Sequence, residues 1–145
     1  MKKLKTIALL VLFLTISAYG QNVSKNMTDK FSEFIAKQKF IKENYYIGIS
    51  NVEKRRFFTE KINSIATDFK MVSESENPTD KKYQEKIGIG LSKFSTVYNK
   101  LDTEDRERIC TYIEEIMDIV QLESSNGQLN KFMYGFDPNE LKKRN

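Results

Sequence analysis

The chain of 145 residues has no histidine and no tryptophan, one cysteine, two prolines and six glycines. The missing histidine matters most for chemistry. It removes imidazole general bases, Ser-His-Asp triads and His-ligated zinc. A dimetal bundle built on Glu-x-x-His pairs and a Cys-x-x-Cys-His haem attachment are excluded with it. Because Cys110 is alone, no intramolecular disulfide can form and the core must hold by packing. Cys110 lies on the flank of an apolar helix stripe near Ile113 and Met117, where it reads as a small half-buried hydrophobe. An intermolecular disulfide is the alternative; a nucleophile is disfavoured, since no partner for the thiol is apparent. Gly88-x-Gly90 lacks the third glycine, the preceding strand and the following lysine motif of a dinucleotide or phosphate loop.

Long apolar runs are also scarce. The one present, from Ile7 to Ile16, is shorter than the ~20 residues that a membrane span requires. With Lys2, Lys3 and Lys5 before it and Ala18-Tyr19-Gly20 after it, residues 1–20 read as a secretory signal peptide cleaved before Gln21. The mature chain is then expected outside the cytoplasm, periplasmic or secreted, with no membrane span. No cysteine follows the cleavage site to carry a lipid anchor. Taking the three leader lysines from 24 basic residues leaves 21 against 20 acidic, so the basic balance belongs mostly to the leader. A nearly neutral mature chain argues against a nucleic-acid partner. Its length suits one domain with a single core.

What is present is helical periodicity. In the stretch Leu101 to Leu122, Asp102 or Thr103 caps a helix whose first turn carries Glu104, Asp105 and Glu107. Ile109, Ile113, Ile116 and Val120 then form one stripe. Upstream, Phe31, Phe34, Ile35 and Ile41 predict a helix near 28–42, with Asn26 or Thr28 as its cap. Asn44 to Ser50 loses that period and reads as a connection or one short extended piece. Ser50-Asn51-Val52-Glu53 reads as a capping box opening a helix over 51–73, with Phe58, Ile62, Ile65, Phe69 and Val72 as its seam. After the polar loop Ser73 to Asp80, which contains Pro78, Thr79 can cap a helix over 80–101 striped by Tyr83, Ile87, Leu91, Phe94, Tyr98 and Leu101. Gly90 falls on the edge of that stripe, suiting close approach of a neighbouring helix. Ser125-x-x-Gln128 reads as a second capping box, before a short helix with Leu129, Phe132, Met133 and Phe136 that is ended by Gly135.

Glu107, Glu114 and Asp118 fall within about 20° of one line on the fourth helix, an arrangement that could hold a hard cation. The apolar stripe lies about 180 to 240° round from Glu107, so a solvated face is the plainer reading. Charge is also unevenly spread: Asp102 to Glu123 holds eight acids against Arg106 and Arg108, whereas Lys25 to Lys70 holds ten basic residues against six acids. The two stretches can attract, steering assembly of the bundle or presenting an acidic face to a basic partner. Tyr45, Tyr46, Tyr134 and Phe136 are of the residue type enriched in interface cores, or lids over the bundle ends.

The motifs LDTEDRERIC (Leu101 to Cys110), EEIMDIVQLESSNGQLN (Glu114 to Asn130) and MYGFDP (Met133 to Pro138) resemble a family of small bacterial proteins known only as a domain of unknown function. The likeness is strongest over Tyr83 to Pro138. It implies a helical domain that includes the Ser124 to Gly127 turn and the Met133 to Pro138 segment, and it assigns no role to any residue.

The expectation is therefore an all-α, single-domain bundle of four principal helices with a short C-terminal helix. A polar segment (21–27) precedes the helical domain (28–138), and a charged tail (139–145) follows it. The leading functional expectation is an exported, non-enzymatic binding or protein-interaction module, such as an inhibitor or protective partner of another extracytoplasmic protein, with no cofactor. The rival is a carboxylate-dependent hydrolase or divalent-cation site on Glu107, Glu114 and Asp118. A third reading is a small apolar-ligand carrier, with Phe58, Phe69, Phe94 and Met117 lining a gap in the bundle.

Overall fold

A computed structural model describes residues 26–135. The expected leader, residues 21–25 of the polar segment, and Phe136, Pro138 and the charged tail lie outside the described residues. Among the described residues five α-helices and one 3-10 helix follow in order: α1 (26–36), α2 (Val52–Ser73), α3 (Asp80–Ser92), the 3-10 helix (Ser95–Lys100), α4 (Thr103–Ile119) and α5 (Gln128–Tyr134). Among the described residues the only β pairing is one isolated bridge, Glu43 with Tyr46, so the fold is all-α.

The seams find each other. Phe58, Ile62, Ile65, Phe69 and Val72 of α2 are buried, as are Tyr83, Ile87 and Leu91 of α3 and Ile109, Ile113 and Ile116 of α4. A chain of aromatic rings runs across the bundle: Phe34 meets Tyr112 at 6.3 Å, Tyr112 meets Phe40 at 5.1 Å, and Phe40 meets Phe58 at 5.6 Å. It continues from Phe58 to Phe94 at 5.7 Å and from Phe94 to Phe132 at 6.1 Å, reaching α5. All are edge contacts, the geometry that ring quadrupoles favour. Gly90 is the close-approach position its place on the stripe suggests: a Cβ there would lie 2.4 Å from Ile65 Cγ1 of α2.

Asp102 caps α4 by accepting from the Asp105 N–H, and Thr79 caps α3 by accepting from the Lys82 N–H. The expected Ser50 capping box is replaced by Asn51, whose side chain accepts from the Lys54 N–H at 2.8 Å. Ahead of α5, the Ser125 carbonyl accepts from both the backbone and the side chain of Gln128, while left-handed Gly127 is the cap residue.

Three helix ends differ from expectation, each because a specific partner takes over the backbone. The first helix stops at residue 36 instead of 42: the Lys39 amine returns to the last-turn carbonyls of α1, Phe40 turns to φ +56°, and the Phe40 N–H donates to the Tyr112 hydroxyl of α4 at 2.9 Å. The third helix ends at Ser92 instead of 101, because Lys93 and Phe94 donate three residues back and the chain tightens into the 3-10 helix. Phe94 and Leu101 stay buried through that change. The fourth helix ends at Ile119 instead of 122. There Leu122 N–H donates to the Met117 carbonyl and Gln121 N–H to that of Asp118, with Gln121 left-handed at φ +59°. This is a Schellman close, the usual way to satisfy the orphan carbonyls of a helix end, made without glycine.

Candidate functional site

The connection between α1 and α2 carries the most exposed aromatic side chain of the described residues, and its conformation is fixed from below. Glu43 and Tyr46 exchange backbone hydrogen bonds of 3.1 and 2.8 Å across a tight turn in which Asn44 takes φ +45°. Ile49 N–H donates to the Phe40 carbonyl at 2.9 Å. Gly48 makes this closure possible: it sits at φ +83°, and a Cβ there would lie 2.6 Å from the Lys42 backbone nitrogen. Alternation along the turn sends Tyr46 inward and leaves Tyr45 99% and Ile47 77% exposed.

Tyr46 is held by chemistry as well as packing. Its hydroxyl donates to Asp105 Oδ1 at 2.9 Å, and Lys54 Nζ donates to Asp105 Oδ2 at 3.1 Å. Asp105 is only 5% exposed, so one buried carboxylate is satisfied by the connection and by the first turn of α2. Burial first, and the Asp105 carboxylate second, push the Tyr46 phenol up, keeping it a protonated donor. Arg108 packs over the Tyr46 ring at 4.7 Å and pairs with Glu43 at 3.1 Å, closing the turn's outer side.

Beside this turn is a hollow of about 420 Å³ whose lining includes Tyr45, Tyr46, Glu104, Glu107, Arg108 and Thr111. Glu107 of the proposed cation trio belongs here. Glu114 and Asp118 belong to a different hollow, of about 530 Å³, with Glu123 and the Ser124 to Gly127 turn. All three acids are exposed. The fold thus brings Glu114 and Asp118 together and leaves Glu107 apart. Among the described residues there is no group of three or more acid, cysteine or histidine side chains placed to hold a metal ion. Partial burial, then the charge of Asp118, raise the pKa of Glu114.

The other singled-out residues have structural surroundings. Cys110 is buried under α5, its Sγ 3.8 Å from the Leu129 carbonyl, and burial pushes the thiol up to about 12. Phe58 and Phe94 touch each other, and Phe69 stacks obliquely on Tyr83 at 5.0 Å, so these rings contact one another in the core. Met117 is buried on α4, and Tyr134 is exposed on α5. The charge asymmetry appears as two ion pairs between the basic stretch and α4, Lys37 with Glu115 and Lys54 with Asp105.

Two residues that sequence reasoning passed over hold this region. Asp105 reads as one more acid favouring the helix dipole, and nothing local distinguishes it from Glu104. Lys39 reads as a charge on the polar side of a helix, yet it is 2% exposed. Its amine donates to the carbonyls of Phe34, Ile35 and Lys37 and sits 4.4 Å from the Phe34 ring centroid. Burial, and then the neighbouring Lys37 charge, bring its pKa down to about 8. The Phe40-Ile41 pair after it is the one available signal that the chain there is entering the core.

No helix among the described residues is long and apolar enough to cross a membrane. In comparisons with known proteins, no curated protein matches the chain. A crystal structure, at 1.95 Å, of a DUF3571 family protein from Acinetobacter baumannii is similar: it is 33% identical, with a TM-score of 0.72, covering 85% of this chain and 98% of that one. The model of the domain of unknown function DUF4844 matches residues 22–137, nearly the whole helical domain, and the chain belongs to that family.

Proposed function

We propose that the protein is an exported, non-enzymatic interaction module that binds another extracytoplasmic protein through the turn at 43–47. The observation that carries this reading is the pairing of Tyr45 with Tyr46. One ring is fully presented to solvent while its neighbour is locked to Asp105, so a large apolar side chain is held out by a rigid support. With the backbone beneath it fixed, Tyr45 has only its own side-chain torsions to order on binding, and aromatics so placed dominate interface energetics. Export rests on the Met1 to Gly20 pattern of basic tip, apolar run and small-residue exit. An inhibitor or protective partner of an exported protein would work in this way.

The test is site-specific photocross-linking in the native host. A photoreactive phenylalanine analogue at Tyr45 is expected to form a discrete adduct with one protein, and the same analogue at exposed Met71 on α2 none. No adduct at Tyr45, or equal adducts at both positions, would reject the reading. The rival cation reading draws support from Glu114 and Asp118 sharing a hollow. Calcium or magnesium binding that is lost in Glu114→Gln with Asp118→Asn would favour it instead.

A further inference from the structure

We infer, building on the interaction reading above, that the hollow beside the 43–46 turn receives an arginine or lysine side chain from an extended basic segment of the partner protein. The argument is charge complementarity around a fixed aromatic. Glu104 and Glu107 line the hollow, and neither carboxylate has a hydrogen-bond or ion-pair partner among the described residues. The cation in its lining, Arg108, already pairs with Glu43 at 3.1 Å. Arg106, the other α4 cation, turns away, stacking on Tyr98 and donating to the Met133 carbonyl. The hollow therefore sets two unpaired carboxylates against one cation, Arg108, that is already engaged by Glu43.

Its remaining walls suit a cation carried on an apolar stem. Tyr45 offers a ring face at the rim, where a guanidinium or ammonium is attracted by the quadrupole. A planar guanidinium can also form paired hydrogen bonds with a carboxylate. A volume of about 420 Å³ accommodates such a side chain and a neighbouring backbone unit. An acidic peptide or a nucleic-acid phosphate would meet repulsion at the same place.

The test uses the purified protein and a defined probe, acetyl-Gly-Arg-Leu-Arg-Gly-amide, beside the same peptide with both arginines replaced by neutral citrulline. The arginine peptide is expected to shift amide resonances of Asn44 to Tyr46 and Glu104 to Thr111 saturably. Glu104→Gln combined with Glu107→Gln should weaken binding by about fivefold, two partly exposed ion pairs being worth that much. Equal binding of the citrulline peptide, shifts elsewhere on the bundle, or no shift at all would overturn the inference. The photocross-link separates this failure from failure of the broader reading. A Tyr45 adduct undiminished by the double substitution removes the basic segment and leaves the interaction module standing, whereas absence of any adduct removes both.

Discussion

The Tyr46 hydroxyl donates to Asp105 at 2.9 Å across 59 positions of sequence, fastening the α1–α2 connection to the first turn of α4. Removing the donor alone, in Tyr46→Phe, is expected to cost about 1 kcal/mol, because Asp105 keeps Lys54. Asp105→Ala should cost about 2 kcal/mol, since it strands the buried phenol while the part-exposed Lys54 amine turns to water. Urea denaturation measures both. Amide exchange at Tyr46 and Ile49 should accelerate more than exchange in α2. Equal stability of the two variants would show that the carboxylate does not hold the turn.

Gly90→Ala sets two effects against each other. Alanine gains about 1 kcal/mol of helix propensity over glycine, but its Cβ would lie 2.4 Å from Ile65 Cγ1, on a side chain with no exposed surface. Overpacking of this kind costs about 1 to 3 kcal/mol, so a net loss of about 1 kcal/mol is expected. In an Ile65→Ala background the same substitution should become neutral or stabilising. A double-mutant cycle by chemical denaturation reads the coupling directly.

Lys39 makes the fold sensitive to alkaline pH in a defined direction. Its pKa falls from 10.5 in the unfolded chain to about 8 in the fold, so between those values the unfolded state holds more protons. Its contribution to stability is therefore smallest below pH 8 and grows toward pH 10.5, by up to about 3 kcal/mol. Wild type should gain on Lys39→Met through that window. Denaturation curves of the pair at matched pH values check it. Parallel stability profiles, or a gap that closes as pH rises, would contradict the buried placement of the amine.

Cys110 should be inert in the folded protein. With the thiol buried and pushed up to about 12, labelling by iodoacetamide at pH 8 is expected only through opening of α5 from α4. Leu129→Ala, which thins the cover over the sulfur, should speed labelling. Labelling of the wild type at the rate of a free thiol would refute the docking of α5.

Where a helix begins was legible at Thr79 and Asp102, because capping depends on one side chain and the next three residues. The seams of α2 and α4 were legible for the same local reason. The end of α5 at Gly135 and the close approach at Gly90 could likewise be read from glycine's place in the period. Helix ends set from a distance could not. The first helix stops because Tyr112, 72 positions away, accepts from Phe40, and Gln121 adopts a left-handed turn that sequence rules assign to glycine. The site was half visible. Tyr45 and Tyr46 could be named as interface residues, but which one faces outward depends on Asp105, whose burial has no local signature.

The exit of α1, the α1–α2 connection and the first turn of α2 each complete part of their bonding on α4. α1's exit uses Tyr112, the connection uses Asp105 and Arg108, and α2 reaches Asp105 through Lys54. On a ribosome, α4 emerges after all three of them. Until residues 103–119 have emerged, the Phe40 amide, the Tyr46 hydroxyl and the Lys54 ammonium lack their α4 partners and bond to water instead. The order of synthesis, more than the strength of any single contact, then sets when these three bonds can first form.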